Sequence, residues 1–208
     1  MDKYLIALEE GKFYHIYNQG NNKENIFYND GNYAYFLKKL DYYLSDFVEV
    51  YAFCLMPNHF HLLVRIKTEE ELNRLSINRL SKFQKLGKSD EKSDEKNFIN
   101  NQFRLFFMSY SKSINKQLGR SGSLFRKNFK RKEISNLSYL QQTVIYIHRN
   151  PVHHGFDTDY TTYRWSSYDR IMEEKITKLK KKEVLEWFGN KENYCYIHNQ
   201  KDVEDDIE

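Results

Sequence analysis

The sequence predicts an α+β domain, a ferredoxin-like sandwich with a central antiparallel β-sheet and helices packed on it. Segments that alternate apolar and polar residues, a strand pattern, are interspersed with segments whose apolar residues recur every three to four positions, a helix pattern. Their order is strand, helix, strand, strand, helix, strand, helix. The first six elements follow the connectivity of a ferredoxin-like sheet, and the last helix is an addition to it.

The first half of the chain supplies four of these elements. Residues 12–20 alternate and are rich in aromatic residues, which predicts a strand that leads into a polar turn. Residues 30–46 predict a helix behind an Asn-Asp-Gly start, because apolar residues recur there at helical spacing. These apolar residues are Tyr33, Phe36, Leu37, Leu40 and Leu44. Strands are predicted over 47–56 and 59–67, joined by a Pro-Asn turn.

The middle of the chain contains a stretch that we expect to be mobile. A polar helical segment runs to Leu86, and the residues near 87–97 then carry a tandem Ser-Asp-Glu-Lys repeat without an apolar face. Such low-complexity sequence predicts a mobile surface insertion. A helix is predicted to resume over 98–119, where the Leu-Gly pair is typical of a helix end.

One strand and one helix complete the predicted domain. Residues 122–134 predict the fourth strand. Residues 136–150 predict a helix with Ser135 or Asn136 as its N-cap. We expect this helix to stop at Pro151, because the residue before a proline is pushed out of the helical region.

Length and composition fit one domain with an appendage. The 208 residues divide into a domain over 1–170 and a C-terminal appendage over 171–208, whose last eight residues are expected to form a disordered acidic tail. No apolar stretch is long enough to span a bilayer, and the N-terminal residues lack the pattern of a signal peptide. The two cysteines, Cys54 and Cys195, are far apart in sequence, which suits a reducing compartment. We therefore expect a soluble, cytoplasmic protein with no membrane partner.

Two histidines one residue apart interrupt the apolar third strand. In a strand, His59 and His61 share one face with Leu63, whereas the residues between them point to the other face. A buried imidazole loses its hydration, so two on one face need water, hydrogen bonds or a metal ion. The motif alone leaves two interpretations open, a metal site or a half-exposed strand whose polar face happens to be histidine.

A basic segment precedes the last helix. From Arg104 to Lys132 the chain contains nine Lys or Arg residues and no Asp or Glu, although the net charge of the whole chain is only +4. Such a run is compatible with a solvated face. Aromatic residues interleaved with cations also suit single-stranded nucleic acid, whose bases stack and whose phosphates attract positive charge. The residues expected to contact phosphate are Arg120, Arg126, Lys127, Lys130 and Arg131.

The last helix carries a tyrosine and an amide one turn apart. Tyr146 and Asn150 are separated by four residues, so they share a helix face. Taken alone, the tyrosine is equally compatible with a core residue, and the asparagine with an ordinary residue of a last helical turn.

Four motifs in this order resemble the HUH single-strand endonucleases and, within them, the REP-associated tyrosine transposases. They are MPNHFHLLV, GSLFRKNFKRKEI, YIHRNPVHHG and RWSSY, and the resemblance covers residues 12–171. It implies a transposase that cleaves and rejoins single-stranded DNA, at hairpin-forming repeats, through a 5′-phosphotyrosine and a free 3′-OH. It further implies single-stranded or hairpin DNA as the partner, and a homodimer as one assembly that small members adopt.

The resemblance also implies roles for individual residues. His59 and His61 would bind a divalent metal ion, Mg²⁺ or Mn²⁺. Tyr146 would be the nucleophile. Asn150 would complete the metal site, at a position where the wider family often has glutamine. Two imidazoles and an amide oxygen leave positions on such an ion for phosphate oxygens and water.

Several alternatives stay open at the level of sequence. Tyr110, in the basic aromatic helix, is a second candidate nucleophile. His148, His153 and His154 are expected near a turn, away from the metal. The chain is also compatible with a nucleic-acid-binding module that lacks activity, or with a nuclease in which water attacks the phosphate.

Overall fold

The computed structural model describes residues 6–73 and 95–200, with the side chains of 73 and 95–97 left out. The sequence predictions for residues 74–94, which include most of the proposed insertion, and for the acidic tail fall outside this range. Among the described helices, none combines the length and the apolar character that a bilayer crossing requires.

The core of the molecule is a four-stranded antiparallel sheet. Its strands are β1 (Phe13–Gln19), β2 (Val48–Met56), β3 (His59–Ile66) and β4 (Lys130–Ile134). Their order across the sheet is β2-β3-β1-β4, and each neighbouring pair is antiparallel. This order confirms the predicted ferredoxin-like connectivity and places the histidine motif on a central strand.

Two long helices cover the first face of the sheet. They are α1 (Asp30–Leu44) and α3 (Glu95–Gln117), and the short α2 (Glu69–Asn73) follows β3. Helix α1 begins where the Asn29 side chain accepts a hydrogen bond from the Asn32 amide, and the Asn32 side chain in turn donates to Gln117 of α3 at 2.8 Å. The apolar stripe predicted for α1 packs against the β1 and β3 residues that point to this face.

The remaining helices cover the second face. They are α4 (Leu137–His153), α5 (Tyr168–Met172), α6 (Lys181–Trp187) and α7 (Lys191–Asn199). Val144 and Ile147 of α4 belong to one buried apolar cluster with Leu63 of β3, and Val184 and Tyr194 of the C-terminal helices complete that cluster. The sheet is therefore buried on both faces. The division of the chain at residue 171 stays a prediction, although α6 and α7 share this apolar cluster.

Two predicted boundaries are wrong. Strand β4 begins only at Lys130, and the preceding residues form a loop that touches β1 through an isolated bridge between Gly20 and Phe125. Helix α4 continues past Pro151 and ends at His153. Proline lacks the backbone N–H that a helix interior uses, and it only disfavours the helical conformation of the residue before it. A proline in the last turn therefore costs one intrahelical hydrogen bond, and the helix can still continue past it. Of the two predicted caps, Asn136 is the one used, accepting from the Tyr139 amide.

The RWSSY motif covers the open edge of β2. The Trp165 carbonyl accepts from the Leu55 amide, and Ser167 bonds Phe53 twice, through its amide and its hydroxyl oxygen. Asp30, at the start of α1, accepts hydrogen bonds from Trp165 and Arg164. This strap, residues 164–167, thus satisfies backbone groups that an edge strand otherwise exposes.

A buried histidine chain joins the strap to α4 and α7. His198 Nδ1 lies 2.8 Å from the Tyr194 carbonyl, which can only accept, so His198 donates there. His198 Nε2 then accepts from His148 Nδ1 at 2.9 Å, and His148 Nε2 accepts from the Ser167 hydroxyl at 2.7 Å. Both imidazoles must be neutral for this order of donors. Burial lowers the pKa of His198 to about 4 and lowers the pKa of His148 well below its usual range.

We expect the free energy of unfolding to decrease as the pH falls below about 6.5. In the folded protein the pKa values of His148 and His198 are lowered, so the unfolded chain binds protons that the folded chain excludes. The stability that these two neutral histidines contribute is fully present above the pKa that histidine has in the unfolded chain. It is lost as the pH falls below that value, at up to about 1.4 kcal/mol per pH unit for each histidine. Urea unfolding between about pH 7.5 and pH 5 measures this slope.

The variant His198→Phe removes one titrating group and should give a shallower slope, whatever its stability at neutral pH. An unfolding free energy that stays constant below pH 6.5 in the unaltered protein would contradict the buried neutral assignment.

Candidate functional site

The two motif histidines lie on the buried face of β3 that α4 covers. His59 is 7% exposed and His61 is 1% exposed, with ring centroids 5.2 Å apart in an edge-to-face arrangement. The interpretation of a half-exposed strand is therefore wrong. The alternation of side chains along β3 was predicted correctly, but sequence alone did not show that a second helical layer removes water from this face.

Asn58 determines the tautomer of His59. Its Oδ1 lies 2.6 Å from His59 Nδ1, and its Nδ2 contacts the Lys23 carbonyl at 3.5 Å, which orients the amide. His59 therefore donates from Nδ1 and carries its lone pair on Nε2. This is the arrangement found for histidines that coordinate metals through Nε2, where a protein group holds the other nitrogen.

His15 of β1 holds the second histidine. His15 Nε2 is 2.9 Å from His61 Nδ1, and the two rings are stacked with centroids 5.1 Å apart. His15 is fully buried. Coordination by His61 would therefore also use Nε2, with His15 as the group that orients the ring. The sequence did not predict a role for His15, because only the register of β1 on β3 brings His15 and His61 together.

Tyr146 and Asn150 approach the histidines from α4. The Tyr146 ring meets His61 edge-to-face at 5.6 Å and His15 at 5.9 Å, and it is 8% exposed. The Asn150 side chain donates from Nδ2 to the Tyr146 carbonyl at 2.9 Å, which leaves Oδ1 as its acceptor atom. The predicted pair thus shares the helix face that lies over the histidine motif.

The amide oxygen of Asn150 lies near His59. Asn150 Oδ1 and His59 Nε2 are both buried, and within the described part of the chain neither makes a hydrogen bond of ordinary length and angle. They are nevertheless close enough for the Asn150 side chain to oppose part of the lowering of the His59 pKa. Two buried acceptor atoms on neighbouring side chains, neither of them bound to a hydrogen-bond donor, suit a shared cation.

Both imidazoles are neutral at physiological pH. Burial lowers the pKa of His59 to about 3, with a further contribution from His154. Burial also lowers the pKa of His61 well below its usual range, and His15, His59 and His154 add to the effect. The neutral form is the one that coordinates metals. Within residues 6–73 and 95–200 no three His, Cys, Asp or Glu side chains form a metal cluster, so a third protein ligand here would be of another type, such as the Asn150 amide oxygen.

A cavity of about 490 Å³ opens beside the histidines. Its lining residues are Tyr17, Asn18, Gln19, Lys23, Asn58, His59, Phe60, His61, Arg126, Lys127, Asn128, Lys130, His154 and Phe156. Four of these side chains are cationic and, among the described residues that line it, none is acidic. Such a cavity favours an anionic ligand. Tyr146 and Asn150 do not line it.

Backbone constraints shape the cavity rim. A Cβ on Gly20 would lie 2.0 Å from the Glu24 carbonyl oxygen, so only glycine fits, and the Gly20 amide donates to the Asn58 carbonyl at 2.7 Å. Lys23 and Asn128 both have left-handed backbone conformations, with φ of 62° and 64°. Residues other than glycine rarely adopt this region, and such conformations concentrate at functional sites.

The structure brings three of the five predicted phosphate contacts to this cavity. Arg126, Lys127 and Lys130 line it. Arg120 instead pairs with Glu24 at 2.9 Å. Arg131 points to the other face of the sheet, where its guanidinium lies over Phe129 and bonds Asn100. The two neighbours Lys130 and Arg131 are separated by the alternation of β4, whose register the sequence did not reveal.

Of the remaining candidate residues, His154 lines the cavity and Tyr110 does not. Tyr110 is buried on the first face of the sheet, where its hydroxyl donates to the Ile26 carbonyl at 2.7 Å and burial raises its pKa. The sheet therefore separates Tyr110 from the histidine motif. His153 ends α4 and His154 follows it, as the expected turn position implies, but the His154 ring contacts His59 edge-to-face at 4.6 Å.

Comparison with known proteins supports the fold. Neither the models of protein families nor the curated proteins contain a match to this chain. Among solved structures, a REP-associated tyrosine transposase bound to a REP hairpin is similar, with a TM-score of 0.58 and 16% sequence identity. The similarity covers 83% of this chain and 86% of the transposase chain. At this identity the two chains share a fold, and the roles of individual residues depend on the geometry.

We expect His59 to carry its ring proton on Nδ1 in solution, because Asn58 can only accept there. Long-range proton–nitrogen NMR spectra at neutral pH should show a pyrrole-type Nδ1 and a pyridine-type Nε2 for this residue. In the variant Asn58→Leu the acceptor is lost, and the signals should shift toward a mixture of tautomers. A protonated Nε2 in the unaltered protein would contradict the assignment.

Proposed function

We propose that the protein is a transposase that cleaves and rejoins single-stranded DNA, at hairpin-forming repeats, through a 5′-phosphotyrosine intermediate. One observation carries the proposal: two buried, neutral histidines, oriented by Asn58 and His15, lie between the Tyr146 ring and a cationic cavity. The fold shared with a transposase bound to a REP hairpin agrees with this class of activity.

The cavity supplies the DNA-binding part of the proposal. Arg126, Lys127 and Lys130 would neutralise backbone phosphates, and Lys23 adds a fourth positive charge at the rim. Phe156, whose side chain is exposed, presents an aromatic ring on which an unpaired base can stack. Single-stranded or hairpin DNA is therefore the proposed partner.

A divalent ion, Mg²⁺ or Mn²⁺, is the proposed cofactor. His59 and His61 would hold it through Nε2, with the Asn150 amide oxygen as the third protein ligand. When bound, it would supply Lewis-acid stabilisation of the negative charge that develops on the scissile phosphate. Asn58 and His15 would keep both imidazoles in the required orientation.

Tyr146 is the proposed nucleophile. Its phenolic oxygen would form a bond to phosphorus while the bond from phosphorus to the 3′ oxygen breaks. The phenol loses its proton, the 3′ oxygen gains one, and the phosphate stays on the 5′ side as a tyrosyl ester. Because Tyr146 is 8% exposed and does not line the cavity, the attack requires its side chain to change position when DNA binds. The ester retains the energy of the phosphodiester, so rejoining needs no ATP.

A second candidate function is a nucleic-acid-binding module that lacks activity. The burial of Tyr146 outside the cavity favours it, since a binding module has no need of an accessible hydroxyl. Hydrolysis by water at the same site is a third candidate function.

We further propose a cytoplasmic location for the protein. We also propose a homodimer as its assembly, which a measurement of mass in solution tests.

The decisive experiment is the variant Tyr146→Phe, which we expect to lose both strand cleavage and the covalent adduct. The change removes one oxygen and leaves the ring, and a buried hydroxyl contributes only about 1 kcal/mol to stability, so the variant should fold. Purified protein is incubated with a hairpin single strand and Mn²⁺, and the adduct is detected by its mass on a denaturing gel. DNA affinity should remain close to that of the unaltered protein.

The matched control is Tyr110→Phe, a buried tyrosine on the far face of the sheet, which should keep full adduct formation. An adduct that persists in Tyr146→Phe would refute the assignment of the nucleophile. Cleavage without any adduct would indicate hydrolysis, and binding with neither would indicate the module.

The cationic cavity makes a separate prediction about affinity. Replacing Arg126 and Lys130 by alanine should weaken binding to all single strands. It should also reduce the slope of log affinity against log salt concentration by roughly 0.7 for each lost phosphate contact. Fluorescence anisotropy over a range of salt concentrations measures both quantities.

The control for this series is Arg131→Gln, which removes a positive charge that points away from the cavity and should leave the slope unchanged. An unchanged slope in the double variant would mean that these side chains do not contact the phosphate backbone.

A further inference from the structure

Among the described residues that line the cavity beside the proposed metal site, the Lys and Arg side chains have no acidic counterpart. The three protein ligands, two imidazoles and an amide oxygen, are all neutral. Four cations line the adjoining cavity, namely Lys23, Arg126, Lys127 and Lys130. Sites for Mg²⁺ and Mn²⁺ normally include carboxylates, whose negative charge offsets the cost of dehydrating the ion. In the described cavity lining, no such carboxylate is present.

Three acidic side chains that are near cavity residues in the sequence do not line the cavity. Asp157, which follows Phe156, accepts hydrogen bonds from the Thr158 and Asp159 amides. Glu24 pairs with Arg120 at 2.9 Å. Glu133 pairs with Lys12 at 3.2 Å, and in the ladder it lies opposite Tyr14, on the face of the sheet away from the histidines. Among the described residues, a divalent cation would therefore meet neutral donors beside a cluster of positive side chains.

We propose that divalent metal and DNA bind this site cooperatively, the DNA phosphate supplying the negative charge that the described cavity lining does not provide. The inference rests on the metal ligands named in the proposed function. A phosphate in the cavity both neutralises the four cations and offers anionic oxygens to the ion. By linkage, the metal strengthens DNA binding by the same factor by which DNA strengthens metal binding.

The consequence is an order of assembly. Without DNA the cations oppose metal binding, and the protein carries little Mg²⁺ or Mn²⁺. With DNA bound, phosphates offset the positive charge of the cavity, and the opposition disappears. The metal site is then complete only when nucleic acid is bound. The lysines that bind DNA would also determine when the metal ion binds.

The experiment measures Mn²⁺ binding directly, from the electron paramagnetic resonance signal of the free ion, at fixed ionic strength. The protein is the Tyr146→Phe variant, so that no strand is cleaved. Titrations are run with and without a hairpin single strand, and the Mn²⁺ bound by the strand alone is subtracted. We expect the dissociation constant to fall by about tenfold or more when DNA is present.

Two variants show whether the cavity charge causes the coupling. Lys127→Ala removes one lining cation, and should tighten Mn²⁺ binding by the DNA-free protein and reduce the coupling factor. Lys38→Ala removes an exposed charge from α1, on the other side of the sheet, and should change neither quantity. Equal effects of the two substitutions would overturn the proposal, because net charge and not the cavity would then be responsible.

The variant His59→Gln shows whether the measured ion occupies this site. It should lose the additional Mn²⁺ that DNA induces. Retention of that ion, or tight Mn²⁺ binding that is the same with and without DNA, would overturn the coupling. Either result leaves the proposed function intact if the unaltered protein still forms its adduct. Absence of Mn²⁺ binding in both states together with absence of the adduct would overturn both proposals.

Discussion

The packing of α4 across the second face of the sheet is the constraint on which the site depends. It removes water from a strand face that carries His59 and His61, and desolvation then keeps both imidazoles neutral. The same helix brings Tyr146 and Asn150 over that face. A site assembled in this way needs α4 to be held firmly, and the chain that runs from Ser167 through His148 to α7 performs that role.

Sequence could predict whatever depends on local periodicity. The alternation of β3 and the four-residue spacing on α4 were sufficient to place His59 with His61 and Tyr146 with Asn150. Sequence could not predict what depends on register or on tertiary layers. His15 reaches His61 only through the pairing of β1 with β3, and the burial of the motif requires a helix from a distant part of the chain.

The basic segment shows the same limit more sharply. Nine cations in a run without acids predicted an anionic partner but could not assign individual side chains. Because β4 begins eight residues later than predicted, the part of the segment between α3 and Lys130 is loop, and only its end follows strand alternation. Lys130 and Arg131 therefore point to opposite faces, one beside Tyr17 and the other beside Asn100. Composition predicts a kind of ligand, whereas geometry shows which side chains line the cavity.

The strap over β2 has a consequence for how copies of the chain can associate. Residues 165–167 occupy the hydrogen-bonding edge that a strand of another molecule would need. The opposite edge is β4, which is only five residues long and carries Lys130 and Lys132 among them. Short, cationic edge strands resist intermolecular pairing. Within the described part of the chain, the strap thus blocks pairing at one edge of the sheet, and short length and positive charge disfavour it at the other. Both edges therefore act against fibre-like stacking of copies.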